Sequence, residues 1–221
     1  MALIHLQNVS KIYNQGNEVA ALRAVNLQIK EGEFIAVMGP SGSGKSTLLS
    51  ILGVLSPPTE GEVSIAGCRV FSLPAEKQAD FRREYLGFIF QQFQLIPYLT
   101  ALENVMLPLA VLKMPKGEKY AAARDVLQKV GLGHKLDRLP RRLSGGEQGR
   151  VAIARAVVNK PPIILADEPT GSLDTRTGQE IIDLFKELNA EGQTIIMVTH
   201  NKENLRHVDR TVYLRDGKIE N

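Results

Sequence analysis

The sequence predicts an α/β fold in which a parallel sheet core carries an antiparallel β subdomain and an inserted α-helical subdomain. Three observations support this. Residues 34–38, 163–166 and 194–199 are nearly continuous apolar runs, the pattern of parallel strands covered on both faces. Residues 25–29 alternate apolar and polar side chains, which predicts a half-exposed antiparallel strand, and residues 3–9, 62–66, 88–90 and 211–214 are further short β-rich runs. Between residues 93 and 159 the strand pattern stops and helical spacing takes over.

In chain order, a first helix is expected over 46–55, with Leu48, Leu49, Leu52 and Leu55 on one stripe and Pro57 and Pro58 as its stop. Helices follow over 76–85, over 118–130 with closure near Gly131, over 151–158, and over 177–189. The 221 residues therefore form one unit with a discontinuous core, 1–91 plus 159–221, and a helical insertion, 92–158. Nothing resembles a flexible linker, so the two parts should pack closely.

Composition excludes several classes. Hydrophobic residues at 43% and charged residues at 23% are ordinary globular usage, which excludes disordered and fibrous chains. The apolar runs are strand-sized, far short of the ~20 residues that cross a bilayer, and the N-terminus shows no export signal. A lone Cys68 fits a reducing compartment. Lys plus Arg number 27 against 24 acids, and this excess of +3 is too small to argue for nucleic acid as a partner.

The chemistry begins at Gly39-Pro40-Ser41-Gly42-Ser43-Gly44-Lys45-Ser46, a phosphate loop set directly between an apolar strand and a helix. Its glycines let backbone N–H groups turn inward, and the helix start adds positive potential. Lys45 would reach the terminal phosphates and the Ser46 hydroxyl would coordinate magnesium. Residues 163–168 form a buried strand ending in two acids. Asp167 suits the magnesium shell, and Glu168 could orient an attacking water. Ser144 and Glu147 have the spacing of a capping box, yet Gly145-Gly146 between them would expose amides as a second anion site. Gln91 leaves a strand where the helical insertion begins, and His200 ends another strand on the side of Glu168.

In this order the motifs resemble the nucleotide-binding subunit of ATP-binding cassette (ABC) transporters, over essentially the whole chain. The resemblance implies a P-loop NTPase (RecA-like) core that binds ATP and Mg2+ and hydrolyses ATP. By it residues 39–47, Thr47 included, are similar to Walker A, Gln91 to the Q-loop glutamine in contact with magnesium, 143–148 to the signature, and 163–168 to Walker B. Glu168 stands as catalytic glutamate, Ser172-Leu173-Asp174 as the D-loop, His200 as the switch histidine, and Tyr13 as the aromatic that stacks on adenine. It implies a head-to-tail dimer in which each ATP lies between one phosphate loop and the partner's signature.

The resemblance also implies a separate membrane permease docked on the helical subdomain through residues 95–112, and a place at the cytoplasmic face of the cell membrane. Residues 90–97, 101–105 and 166–171 are similar to the subgroup serving lipoprotein release and macrolide efflux, and 156–161 to a cell-division ATPase of that subgroup. Gly149 departs from the family's usual Gln. Two other readings of the phosphate loop remain, a small-molecule kinase and a nucleic-acid-maintenance ATPase. The first would need an Arg-rich lid, and the second long coiled coils or metal-binding cysteines.

Overall fold

The computed structural model describes residues 2–15 and 17–220. Its strands and helices run β1 (Ala2–Gln15), β2 (Asn17–Lys30), β3 (Phe34–Met38), α1 (Lys45–Leu52), β4 (Glu60–Ile65), β5 (Cys68–Arg69), α2 (Ala75–Tyr85), β6 (Leu86–Ile89), α3 (Ala101–Met106), α4 (Lys116–Lys129), α5 (Gly145–Val157), β7 (Ile163–Asp167), α6 (Thr175–Ala190), β8 (Thr194–Val198), β9 (Arg210–Arg215) and β10 (Lys218–Glu220). They build a four-stranded sheet in the order β2-β1-β4-β5 and a six-stranded sheet in the order β10-β9-β3-β8-β7-β6. Every recorded pairing in the first is antiparallel. In the second, β9, β3, β8, β7 and β6 are parallel, and only β10 runs against its neighbour.

The apolar runs are continuous because both faces of the larger sheet are covered. Ile163 and Leu165 of β7, with Ile196 and Val198 of β8, face a core shared with α1 and the antiparallel sheet. Their neighbours Ile164, Ala166, Ile195 and Met197 face α5 and α6. Each fully buried aliphatic side chain stabilises the fold by about 1.5–3 kcal/mol, so a one-residue slip of either strand is strongly disfavoured. Helix α5 also supplies a third cluster with α3 and α4, through Val151, Ala154 and its C-cap Val158. One helix thus binds the inserted helices to the sheet, as the lack of a linker suggested.

Two departures from the expected pattern have local causes. Strands β1 and β2 are far longer than the runs 3–9 and 25–29, because their pairing contains register shifts that interrupt the alternation. Asn8 and Ala24 take left-handed backbone there, both at φ +48°. The Asn26 side chain closes the gap, accepting from the Asn8 amide at 3.0 Å and donating to the Ala24 carbonyl at 3.1 Å. Helix α1 stops at Leu52, before the prolines, where the Gly53 amide bonds back to the carbonyl of Leu49. Val54 then turns left-handed at φ +54°, and Leu55, expected on the buried stripe, is 55% exposed.

Helix α3 owes its start to a capping box in which Thr100 and Glu103 bond reciprocally. Its fully buried Asn104 accepts from the Ile96 amide at 2.7 Å and donates to three carbonyls, including Leu99 at 3.0 Å. One polar side chain therefore satisfies the loop that leads into the helical part.

Candidate functional site

Parallel pairing decides what meets at the carboxyl edge of the large sheet. Val37 is in register with Val198, Val198 with Asp167, and Ala166 with Ile89. The residues leaving β3, β8, β7 and β6 therefore lie side by side: the loop from Gly39, then His200, the acids Asp167 and Glu168, and Gln91. Two bonds tie this edge together, from the Thr199 amide to the Val37 carbonyl at 3.2 Å and from the Glu168 amide to the Val198 carbonyl at 2.9 Å. The opening at the end of a parallel sheet is where such folds take ligands.

The loop before α1 depends on glycine. Gly39 has φ +151° and Gly44 φ +104°. A Cβ at Gly39 would fall 2.0 Å from the Leu214 carbonyl oxygen, and one at Gly44 would fall 2.3 Å from that of Ala21. Both glycines thus serve close approach as well as conformation. Pro40, Ser41 and Gly42 form the exposed rim, Ser46 is exposed and Thr47 half-buried at the helix start. The Lys45 ammonium curls over the loop and donates to the carbonyls of Gly39 at 2.9 Å and Pro40 at 2.8 Å. The Ser43 hydroxyl is buried inside it without a hydrogen-bond partner.

On the next strands, Nδ1 of His200 lies 2.8 Å from Oε2 of Glu168, whose side chain is 14% exposed against 71% for the histidine. Glu168 takes φ +47°, a left-handed conformation uncommon for a long side chain, and it persists because its amide is anchored on β8. Burial, and then the charge of Glu168, push the Asp167 carboxyl above the ordinary range, while Lys45 pulls it down. Gln91 is exposed, and its side-chain amide nitrogen lies 3.8 Å from the Cβ position of Gly171, which is also 3.6 Å from the Cβ of Glu168. Asn204, which the sequence did not signal, is buried and donates to both Thr170 and Thr199 at 3.3 Å, linking the loops after β7 and β8.

The capping box at the start of α5 forms. The Ser144 hydroxyl accepts from the Glu147 amide at 3.3 Å, and the Glu147 carboxylate accepts from the Ser144 amide at 3.0 Å. Lys135 also donates to Glu147 and is the first cause of its lowered pKa. This contribution is complete above the ordinary Glu pKa and is lost as pH falls through the lowered one. Ser144 and Gly145 are exposed, but Gly146 is buried, and a Cβ on it would meet Cγ2 of Thr177 at 2.2 Å. The double glycine therefore has a packing role against α6. Asp174 caps that helix by accepting from the Thr177 amide at 3.0 Å and hydroxyl at 2.7 Å. Tyr13 is 37% exposed near the far end of β1, with the Lys11 ammonium 5.2 Å from its ring centre.

A second concave surface, a groove of 630 Å³, opens between α2, β6, α5 and the turn over Leu107–Leu109. Leu55, Phe88, Leu107 and Val111 give it an apolar floor, and Arg82, Arg83 and Arg155 line it with cations. Segment 95–112 supplies only part of this wall, because α5, Gln94 and the core contribute the rest.

Comparison with known proteins agrees with this geometry. The ABC transporter family model matches residues 22–171, more than half of the chain. An ABC transporter ATP-binding protein of Methanocaldococcus jannaschii is 51% identical over 218 residues, covering 98% of this chain and 97% of that one. The macrolide export ATP-binding/permease protein MacB of Chlorobium luteolum is 49% identical over 98% of this chain, which corresponds to 33% of its own length. Among solved structures, the dimeric post-hydrolysis state of the M. jannaschii cassette MJ0796 bound to ADP and Pi superimposes with a TM-score of 0.91 at 49% identity, covering 99% and 97% of the two chains. With the phosphate loop, acid pair and histidine gathered on one sheet edge, this chain belongs to the ABC transporter family, as an ATP-binding and ATP-hydrolysing subunit.

Proposed function

We propose that two copies of this chain close head to tail around two Mg-ATP molecules and so drive a separate integral membrane permease, from the cytoplasmic face of the cell membrane. The observation that carries the hydrolytic part is the Glu168–His200 pair at 2.8 Å, set on the same sheet edge as the phosphate loop. Backbone N–H groups within residues 39–47, Pro40 excepted because it has none, cradle the phosphates, and Lys45 exchanges its two loop carbonyls for phosphate oxygens. Tyr13 stacks on the adenine. Glu168 accepts the proton of the attacking water, and His200 holds its carboxylate and reaches the γ-phosphate.

Ser46, Gln91 and Asp167 offer the all-oxygen donors that magnesium prefers. The raised pKa of Asp167, half-buried against a second carboxylate, is the strain that a cation there relieves. When bound, the ion neutralises charge on the phosphate oxygens.

Ser144, Gly145 and Gly146 would serve the partner's ATP, with Glu147 shaping their cap and Asp174 placing the D-loop at the interface. Support comes from their surroundings: Gly145 and Gly146 pack on Leu173 and Thr177, leaving the exposed side of the helix start free to face another subunit. The dimeric state of MJ0796 agrees with this reading. We take residues 92–158 as the helical signature subdomain and 1–91 with 159–221 as the nucleotide-binding core.

The apolar, arginine-lined groove suits a short amphipathic helix of the permease, and we take the system to be of the lipoprotein-release or macrolide/peptide-efflux type, the macrolide reading being supported by the fused permease of MacB-type relatives. The test replaces Val111, 67% exposed on that groove, by Asp. Membranes carrying the permease should raise the ATPase rate of the wild type, and Val111→Asp should lose most of that stimulation while keeping its own basal rate. Equal stimulation of both would contradict the docking site, and no stimulation of either would contradict the motor function.

A further inference from the structure

The loop that follows Gln91 has a conformation its own sequence does not favour. Phe93 and Gln94 are consecutive non-glycine residues in the left-handed region, at φ +58° and +45°. Such residues are costly singly, and two in succession persist only when surrounding groups over-determine them. The groups are visible. The Phe93 ring is buried and lies 3.2 Å from the Cβ position of Gly149 on α5, so any side chain at 149 would press on it. One turn and a half further along α5, the Arg155 guanidinium donates through Nη2 to the Phe93 carbonyl and through Nη1 to the Gln94 carbonyl, both at 2.7 Å.

Among the described residues Arg155 has no carboxylate partner. A half-buried guanidinium that donates to two consecutive backbone carbonyls is a clamp, because its rigid planar fork fixes both oxygens in one plane, which the freely rotating donors of an ammonium do not. The fork also lines the groove, together with Gln94.

We propose that Arg155 is a positioning residue for hydrolysis: it clamps the left-handed pair Phe93–Gln94 to α5 and so holds Gln91 at the carboxyl edge of the sheet. This deepens the function proposed above and rests on it for the role of Gln91.

The full chain is compared as wild type, Arg155→Lys, Arg155→Gln, Gln91→Ala and Arg155→Lys with Gln91→Ala, each first shown to be folded by its thermal melt. Gln cannot span both carbonyls, and Lys, whose ammonium can bond two carbonyls as Lys45 does, lacks the rigid planar fork that fixes their relative position, so one folded variant of the two suffices. The clamp predicts that KM for ATP stays within about twofold while kcat falls about 10- to 100-fold, as expected when a positioned group shifts by roughly 1 Å. It also predicts faster amide hydrogen exchange confined to residues 90–95, and no further loss of kcat when Arg155→Lys is added to Gln91→Ala. Independent losses that multiply in the double variant, or unchanged exchange over 90–95, would overturn it. A Gln91→Ala variant with wild-type kcat would instead remove the role of Gln91 itself, and the exchange result still decides for Arg155.

Discussion

Glu168→Gln should reduce ATP turnover by about three orders of magnitude, within the range of a lost general base, while leaving ATP binding intact. Gln has the shape of Glu and still offers an oxygen to His200 Nδ1, so the 2.8 Å contact and the anchored backbone can survive. What disappears is the charge that polarises water. Removing it also relieves Asp167, whose pKa the neighbouring carboxylate helps to raise. Trapped before hydrolysis, the variant should accumulate as a closed dimer with ATP in size-exclusion chromatography. A variant that stays monomeric with ATP and hydrolyses at the wild-type rate would refute the role of Glu168.

Lys45→Ala should weaken ATP binding by about 10- to 100-fold, the equivalent of one lost charge-assisted hydrogen bond of about 1.5–3 kcal/mol. The ammonium is the only side-chain cation within the loop, and it already rests on the Gly39 and Pro40 carbonyls, ready to transfer to phosphate oxygens. The Pro40 carbonyl lies at the exposed rim and that of Gly39 is only partly buried, so water can replace the lost donor and the thermal melt should change little. AMP, which lacks the terminal phosphates, should lose much less affinity than ATP. Calorimetry with both nucleotides checks this, and an equal loss for both would contradict the placement of Lys45.

How much of this was legible in the sequence depended on range. Phe34–Met38, Ile163–Asp167 and Thr194–Val198 announced a parallel sheet because burial on both faces leaves no polar interruptions. The glycines, Lys45 and the acid pair were visible because their chemistry needs fixed local spacing. The full length of the β1–β2 hairpin was hidden by its bulges, which break alternation at Asn8 and Ala24. The early end of α1 was hidden because Gly53 and Val54 form a turn that leaves the apolar spacing up to Leu55 intact.

Contacts between distant segments left no local mark. Glu147 reads as a cap, but its partner Lys135 does not show. Gly146 reads as an exposed amide, yet the reason for its missing side chain is Thr177, thirty-one residues on in sequence and packed against it. Arg155 has no motif of its own, because what it binds is the backbone of Phe93 and Gln94.

If each nucleotide site is shared between two copies, sedimentation velocity with ATP will reveal it. Two proteins are prepared in the Glu168→Gln background, one also carrying Lys45→Ala and the other Ser144→Arg. In a head-to-tail dimer, a mixed pair gathers both lesions in one site and leaves the other site intact. Ser144→Arg should keep monomer ATP binding but block closure, neither protein should dimerise appreciably alone, and a dimer should appear on mixing. At a mere helix cap the arginine would cost only about 1 kcal/mol of stability and would leave dimerisation untouched. If the Ser144→Arg protein dimerises alone as readily as the Glu168→Gln parent, the shared-site account is wrong.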